Sequence, residues 1–135
     1  MIALDTNVLV RYLVRDDVKQ FEVARILLES LTVRCPGYVC REVVVELVWV
    51  LERSYGYSRD RIALILEELA ASEDLIVEVA DEVTWAAFLY RRGEAGFSDL
   101  MIMAASKRAG ARSLYTLDRK LSRLDGVSLL DGHVV

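Results

Sequence analysis

Apolar positions along the chain recur at spacings of three and four. Val44, Leu47, Val48 and Leu51 do so within Arg41 to Ser54, which predicts one buried helix face. Phe21, Ala24, Leu27, Leu28 and Leu31 repeat the pattern behind Asp17, which with Gln20 three residues on resembles a capping box. Ile62, Leu66 and Leu69, with Ile65 beside them, mark a helix that Ser58 would cap and that ends near Ser72. Another is expected behind Asp81 as its cap, passing through Trp85, Phe88 and Leu89 to Gly93. The last runs from Asp99 to Ala109, opened near Ser98 and closed by Gly110.

Short apolar runs separate these helices. Ile2 to Leu4 reads as a buried strand, followed at once by a helical pattern through Val8, Leu9, Tyr12 and Leu13. Val33 to Val39 is a weak strand or extended connection. Leu75 to Val79, Arg112 to Leu117 and Val127 to Leu130 read as strands, with one or two helical turns over Arg119 to Leu124. This alternation predicts an α/β sandwich around a mainly parallel sheet, in which ligands gather at the carboxyl ends of the strands.

Composition narrows the function classes. At 135 residues with 54% hydrophobic content and one proline, the chain fits a single domain over 1–135 and is too apolar to be disordered. Charges interrupt every apolar stretch before it reaches membrane-spanning length, and no basic segment precedes an apolar one at the start. A soluble, cytoplasmic protein without a secretory signal is therefore expected. Cys35 and Cys40 match neither a redox nor a zinc spacing and read as ordinary buried thiols. The sole histidine, His133, lies third from the end of the chain, which argues against a histidine triad or a histidine-rich metal site. Any catalysis then rests on carboxylates.

Asp5 ends the first apolar run and Asp118 follows the strand that ends at Leu117, so both project toward one rim if those strands are parallel. A charge buried at Asp5 would need a partner, a proton or a cation. Asp99 falls in the first turn of its helix, where it complements the helix dipole. Glu46 borders the apolar stripe one turn after Glu42, a like-charge pair costing roughly 0.2–0.5 kcal/mol on an exposed helix. A cation would relieve that repulsion, and so would pairing with Arg41 or Arg53. Taken singly, each acid also has a structural reading, as a helix cap, a turn former or a solvated margin. Taken together, carboxylates without histidine or cysteine suit Mg²⁺ or Mn²⁺ and metal-assisted hydrolysis of nucleic acid. The net charge of −4 confines nucleic-acid binding to local patches, although 14 arginines against 3 lysines favour gripping phosphate.

The segments LDTNVLVRYL, EVVVELVWVLER, FSDLMIMAASKRAG and LYTLDRKLSRLDGV resemble, in order and spacing, the four acidic motifs of the PIN domain family. Within it they are most similar to the VapC-type ribonucleases of type II toxin-antitoxin pairs. The resemblance implies a three-layer α/β/α sandwich and a metal-dependent endoribonuclease. Asp5, Glu46, Asp99 and Asp118 would be the catalytic and Mg²⁺- or Mn²⁺-binding acids, with Thr6, Asn7 and Thr116 as supporting polar neighbours. Glu46 rather than Glu42 is matched because it begins the Glu-Leu-x-x-Val-Leu pattern. Relatives often carry a further acid where this chain has Gly96. The resemblance also implies an RNA substrate, a homodimer and a cognate antitoxin protein.

Two other classes compete with this reading. One is a PIN-like module that binds RNA or protein without cutting, against which the presence of all four acids argues. The other is a phospho-acceptor or phosphatase domain, for which Asp5-Thr6-Asn7 lacks a second carboxylate. Arg11, Arg15, Arg91, Arg92, Lys107 and Arg108 are candidates for RNA or antitoxin contact. Trp49, Trp85 and Phe88 read as core or dimer interface rather than as a base-stacking platform.

Overall fold

Helix α3 (Arg41–Arg53) buries Val44, Leu47, Val48 and Leu51, the stripe its sequence spacing predicts. The computed structural model describes residues 1–132 and shows four strands and five further helices built around this one in alternation, closed by a last strand. His133 lies outside the described residues. Strand β1 (Ile2–Ala3) leads to α1 (Thr6–Val14) and α2 (Val18–Glu29), and β2 (Gly37–Val39) leads to α3 and α4 (Arg59–Ala71). Strand β3 (Leu75–Val77) leads to α5 (Ala80–Arg91) and α6 (Phe97–Arg108), and β4 (Leu114–Thr116) reaches β5 (Val127–Leu129) through a 3-10 turn at Leu121–Arg123.

Every strand pairing is parallel, in two ladders: β1-β2-β3, with Ala3 opposite Tyr38 and Tyr38 opposite Ile76, and β4-β5, with Tyr115 opposite Ser128. The architecture is the expected three-layer α/β/α sandwich. Gly37 leaves room for side chains from the segments on either side of β2. A Cβ there would lie 2.9 Å from methyls of both Leu4 and Leu31 and 3.1 Å from one of Leu75. Three side chains fill the space a larger residue would need.

Several local expectations are revised. Ile2 and Ala3 are exposed and only Leu4, beyond the paired residues, is buried, because β1 is an edge of its ladder. Asp81 does not cap α5. The helix begins one residue earlier, from Val79 in a left-handed conformation with φ 49°, and Asp81 sits in its first turn. Gly96, two residues before Ser98, stands at the cap position of α6. Asp17 and Ser58 do cap α2 and α4, accepting from the amides of Gln20 and Arg61.

Cys35 is exposed and Cys40 half-buried, both as free thiols, so they are not the buried pair expected. In α5 the inward residues are Val83, Ala86, Ala87 and Tyr90, while Trp85 and Phe88 face outward. The alanines let α4 and α5 lie close together, which a face carrying two large rings would prevent. Trp49 is likewise exposed, which removes the core reading for it. No helix among the described residues is long and apolar enough to cross a membrane.

Candidate active site

Strand direction places two of the acids. Asp5 follows β1 by two residues and Asp118 follows β4 by two, each beyond the carboxyl end of its strand. Asp5 is exposed, so it is not the buried charge its apolar flanks imply. It occupies the cap position of α1 in extended backbone, with Oδ1 accepting from the Thr6 amide at 2.7 Å. Asp118 Oδ1 accepts from the amides of Lys120 and Leu121 at 2.9 and 3.1 Å, which folds the chain into its 3-10 turn. The structural role open to each acid is therefore realised, and it engages only one carboxylate oxygen of each.

Asp99 stands three residues past Gly96 in the first turn of α6 and is half-buried. Burial pushes its carboxyl above the usual aspartate range, and the negative charge of Asp118 adds to the effect. The structure thus brings Asp99 and Asp118 within electrostatic reach of one another. A Cβ at Gly96 would meet Asp99 Oδ2 at 3.4 Å, although the backbone there, at φ −69°, would accept any residue. The missing side chain leaves that oxygen its space.

Glu46 is exposed on α3 and makes no ion pair among the described residues. The ordinary account of its charge fails, because Arg41 donates to the Met101 carbonyl at 3.1 Å and Arg53 lies over the Trp49 ring. None of the four acids is ion-paired among the described residues. The surface cations are largely spoken for: Arg11 pairs with Asp16, Arg91 with Glu67, Arg92 with Glu94 and Arg108 with Glu82. Arg15 lies over the Phe21 ring at 4.6 Å.

The expected supporting residues behave differently from one another. Thr116 Oγ1 accepts from the Asp118 amide at 3.0 Å, holding the backbone of that acid. Thr6 supports Asp5 through its amide, while its own hydroxyl is buried without a hydrogen-bond partner. The Asn7 side chain is exposed and makes no hydrogen bond among the described residues. An orphaned buried hydroxyl costs about 1–3 kcal/mol, so Thr6→Val should leave the ion-free protein as stable as the wild type or more so. Thermal melts in a chelator check this, and a clear loss of melting temperature would show that the hydroxyl is satisfied after all.

The donor chemistry fits a hard divalent cation, since the four candidates present only carboxylate oxygens, with an orphan hydroxyl beside the first. Among the described residues no three acids, histidines or cysteines stand close enough together to form a ready-made cage. Mg²⁺ does not require one, because it is held by one or two carboxylates completed by water and substrate phosphates. A hollow of about 890 Å³ contains none of the four acids; Lys107, Arg108, Arg112, Trp85, Met103 and Leu114 are among the residues that line it. It opens where β4 and β5 begin, whereas Asp118 lies beyond the end of β4.

Sequence reasoning overlooked Arg59. Its guanidinium touches the turn that leads into α6, and its position as the first residue of α4, where a cation opposes the helix dipole, was the available signal. The family model described as PIN domain matches residues 2–127. A curated relative, a VapC ribonuclease of Aquifex aeolicus (strain VF5), is 27% identical over 124 residues, which span 92% of each chain.

Proposed function

Because the chain belongs to the PIN domain family, we propose that it is a divalent-metal-dependent endoribonuclease, the toxin of a type II toxin-antitoxin pair. The observation that carries the reading is that Asp99, half-buried in the first turn of α6, lies within electrostatic reach of Asp118, with neither carboxylate ion-paired among the described residues. Asp5 and Glu46, also without ion pairs among the described residues, complete the set by their places in the motifs.

Bound Mg²⁺ or Mn²⁺ supplies an activated water and offsets charge developing on the phosphodiester. The chain's own part is positioning. Asp99 presents a half-buried carboxylate whose charge is poorly compensated and therefore attracts a cation strongly. Asp5 and Asp118 each have one oxygen anchored by backbone amides and the other left for the ion or its waters. Glu46 adds an exposed carboxylate on α3, and Thr116 fixes the backbone on which Asp118 rides. On the same reading the protein works in the cytoplasm as a homodimer, cuts RNA and is restrained by a cognate antitoxin. The ribonuclease name of the Aquifex relative supports the RNA-cutting part of this reading.

The alternative is a PIN-like module that binds RNA or protein without cutting, and the lack of a ready-made three-acid cage among the described residues favours it. Incubating the purified protein with a panel of structured RNAs and Mg²⁺ or Mn²⁺, with and without chelator, separates the two. Cleavage that the chelator abolishes is the expected result. Intact RNA throughout the panel with both metals would overturn the nuclease reading.

A further inference from the structure

Arg59 is an odd choice for the first residue of a helix. The amino-terminal end of α4 carries partial positive charge, so a cation there is locally unfavourable. Its side chain turns instead to α5 and the turn that follows. Nη1 donates to the carbonyl oxygens of both Tyr90 and Ala95, each at 2.8 Å, while the guanidinium lies 4.5 Å from the centre of the Tyr90 ring.

These two carbonyls bracket the α5–α6 turn. Tyr90 is in the last turn of α5, where carbonyls lack helical partners, and Ala95 immediately precedes Gly96 at the start of α6. The turn's own bonds, from Gly93 to Tyr90 and from Glu94 to Leu89, stop short of Ala95. Arg59 is thus the only hydrogen-bond donor to the Ala95 carbonyl among the described residues. Phe97, packed edge-on against Tyr90 with ring centres 6.0 Å apart, holds the next position, and Asp99 follows two residues later.

We propose that Arg59 is a positioning residue of the acidic site, bridging the Tyr90 and Ala95 carbonyls so that the α5–α6 turn delivers Asp99 to its place as a cation ligand. The inference rests on the nuclease reading. One nitrogen makes both bonds, so a lysine ammonium can in principle reproduce the bridge, whereas methionine keeps the apolar stem and loses the donors.

The test is Mn²⁺ binding by calorimetry at a temperature where every variant is folded, with RNA cleavage as a second readout. Arg59→Met should weaken Mn²⁺ binding about tenfold or more, the usual consequence of losing a group that orients a ligand. Arg59→Lys should recover most of the affinity, and Arg59→Gln should fall between them. Ile62→Val, a trim in the core of the same helix, should bind Mn²⁺ as the wild type does, which separates positioning from lost stability.

Wild-type affinity in folded Arg59→Met, or no difference between the lysine and methionine variants, would overturn the proposal. Should the methionine variant fail to fold, wild-type affinity in Arg59→Gln overturns it equally. If the wild-type protein itself neither binds Mn²⁺ nor cuts RNA, the nuclease reading fails, a result distinct from failure of the Arg59 inference alone.

Discussion

Asp99→Asn is expected to lower metal-dependent RNA cleavage by about 100-fold or more, while leaving the ion-free protein at least as stable as the wild type near neutral pH. On the proposed nuclease reading, the loss of rate follows from removing a carboxylate that would hold the cation offsetting developing charge, an electrostatic contribution comparable to the roughly 10²–10³-fold lost with one oxyanion-hole donor. The stability follows from proton linkage. The folded-state carboxyl of Asp99 is held above its ordinary value by burial and by Asp118, so the folded chain binds that proton more tightly than the unfolded chain does. The favourable contribution is complete below the ordinary aspartate range and is lost as pH rises through the raised value. Asparagine undergoes no such loss. The melting-temperature difference, variant minus wild type, should therefore grow as pH is raised from about 3 to 7 in a chelator. Undiminished cleavage would remove Asp99 from the site, and a melting-temperature deficit near pH 7 would give it a structural role in the first turn of α6 instead.

Leu100→Ala should have the opposite signature. Leu100 is fully buried, and its amide makes an early bond of α6, to the Gly96 carbonyl at 3.1 Å. Truncating such a side chain costs roughly 2–5 kcal/mol through lost transfer energy and the cavity left behind. Single domains have only about 5–15 kcal/mol of stability in all, so the variant should lie close to unfolding at physiological temperature. Urea unfolding should show a lower midpoint with unchanged slope. A cost below about 1 kcal/mol would mean that α6 repacks, and Asp99 would then rest on a softer support than the structure shows.

What the sequence conveys and what it hides divide along physical lines. The stripe of α3 was legible because its large aliphatic residues are also its buried ones. That of α5 misled because Ala86 and Ala87, small enough for α4 to approach, form the inner face and leave Trp85 and Phe88 outside. The start of α5 was missed because Val79 adopts a left-handed conformation unusual for a β-branched residue, which no local pattern announces. Among the acids, the strand-end positions of Asp5 and Asp118 could be read from chain order once parallel strands were inferred. That Glu46 would lack a basic partner could not, because Arg41 reaches a main-chain carbonyl sixty residues away. Arg59 escaped for the same reason, since backbone acceptors carry no side-chain signature.

No backbone hydrogen bond joins β1 to β4, so Asp5 closes one ladder and Asp118 closes the other. The spacing of those two acids is thus not fixed by one shared hydrogen-bonded ladder. An ion shared across that seam would act as a rivet between two plates. Whatever work is needed to draw the plates together is subtracted from its affinity, and whatever stiffness it confers is returned to the whole sheet.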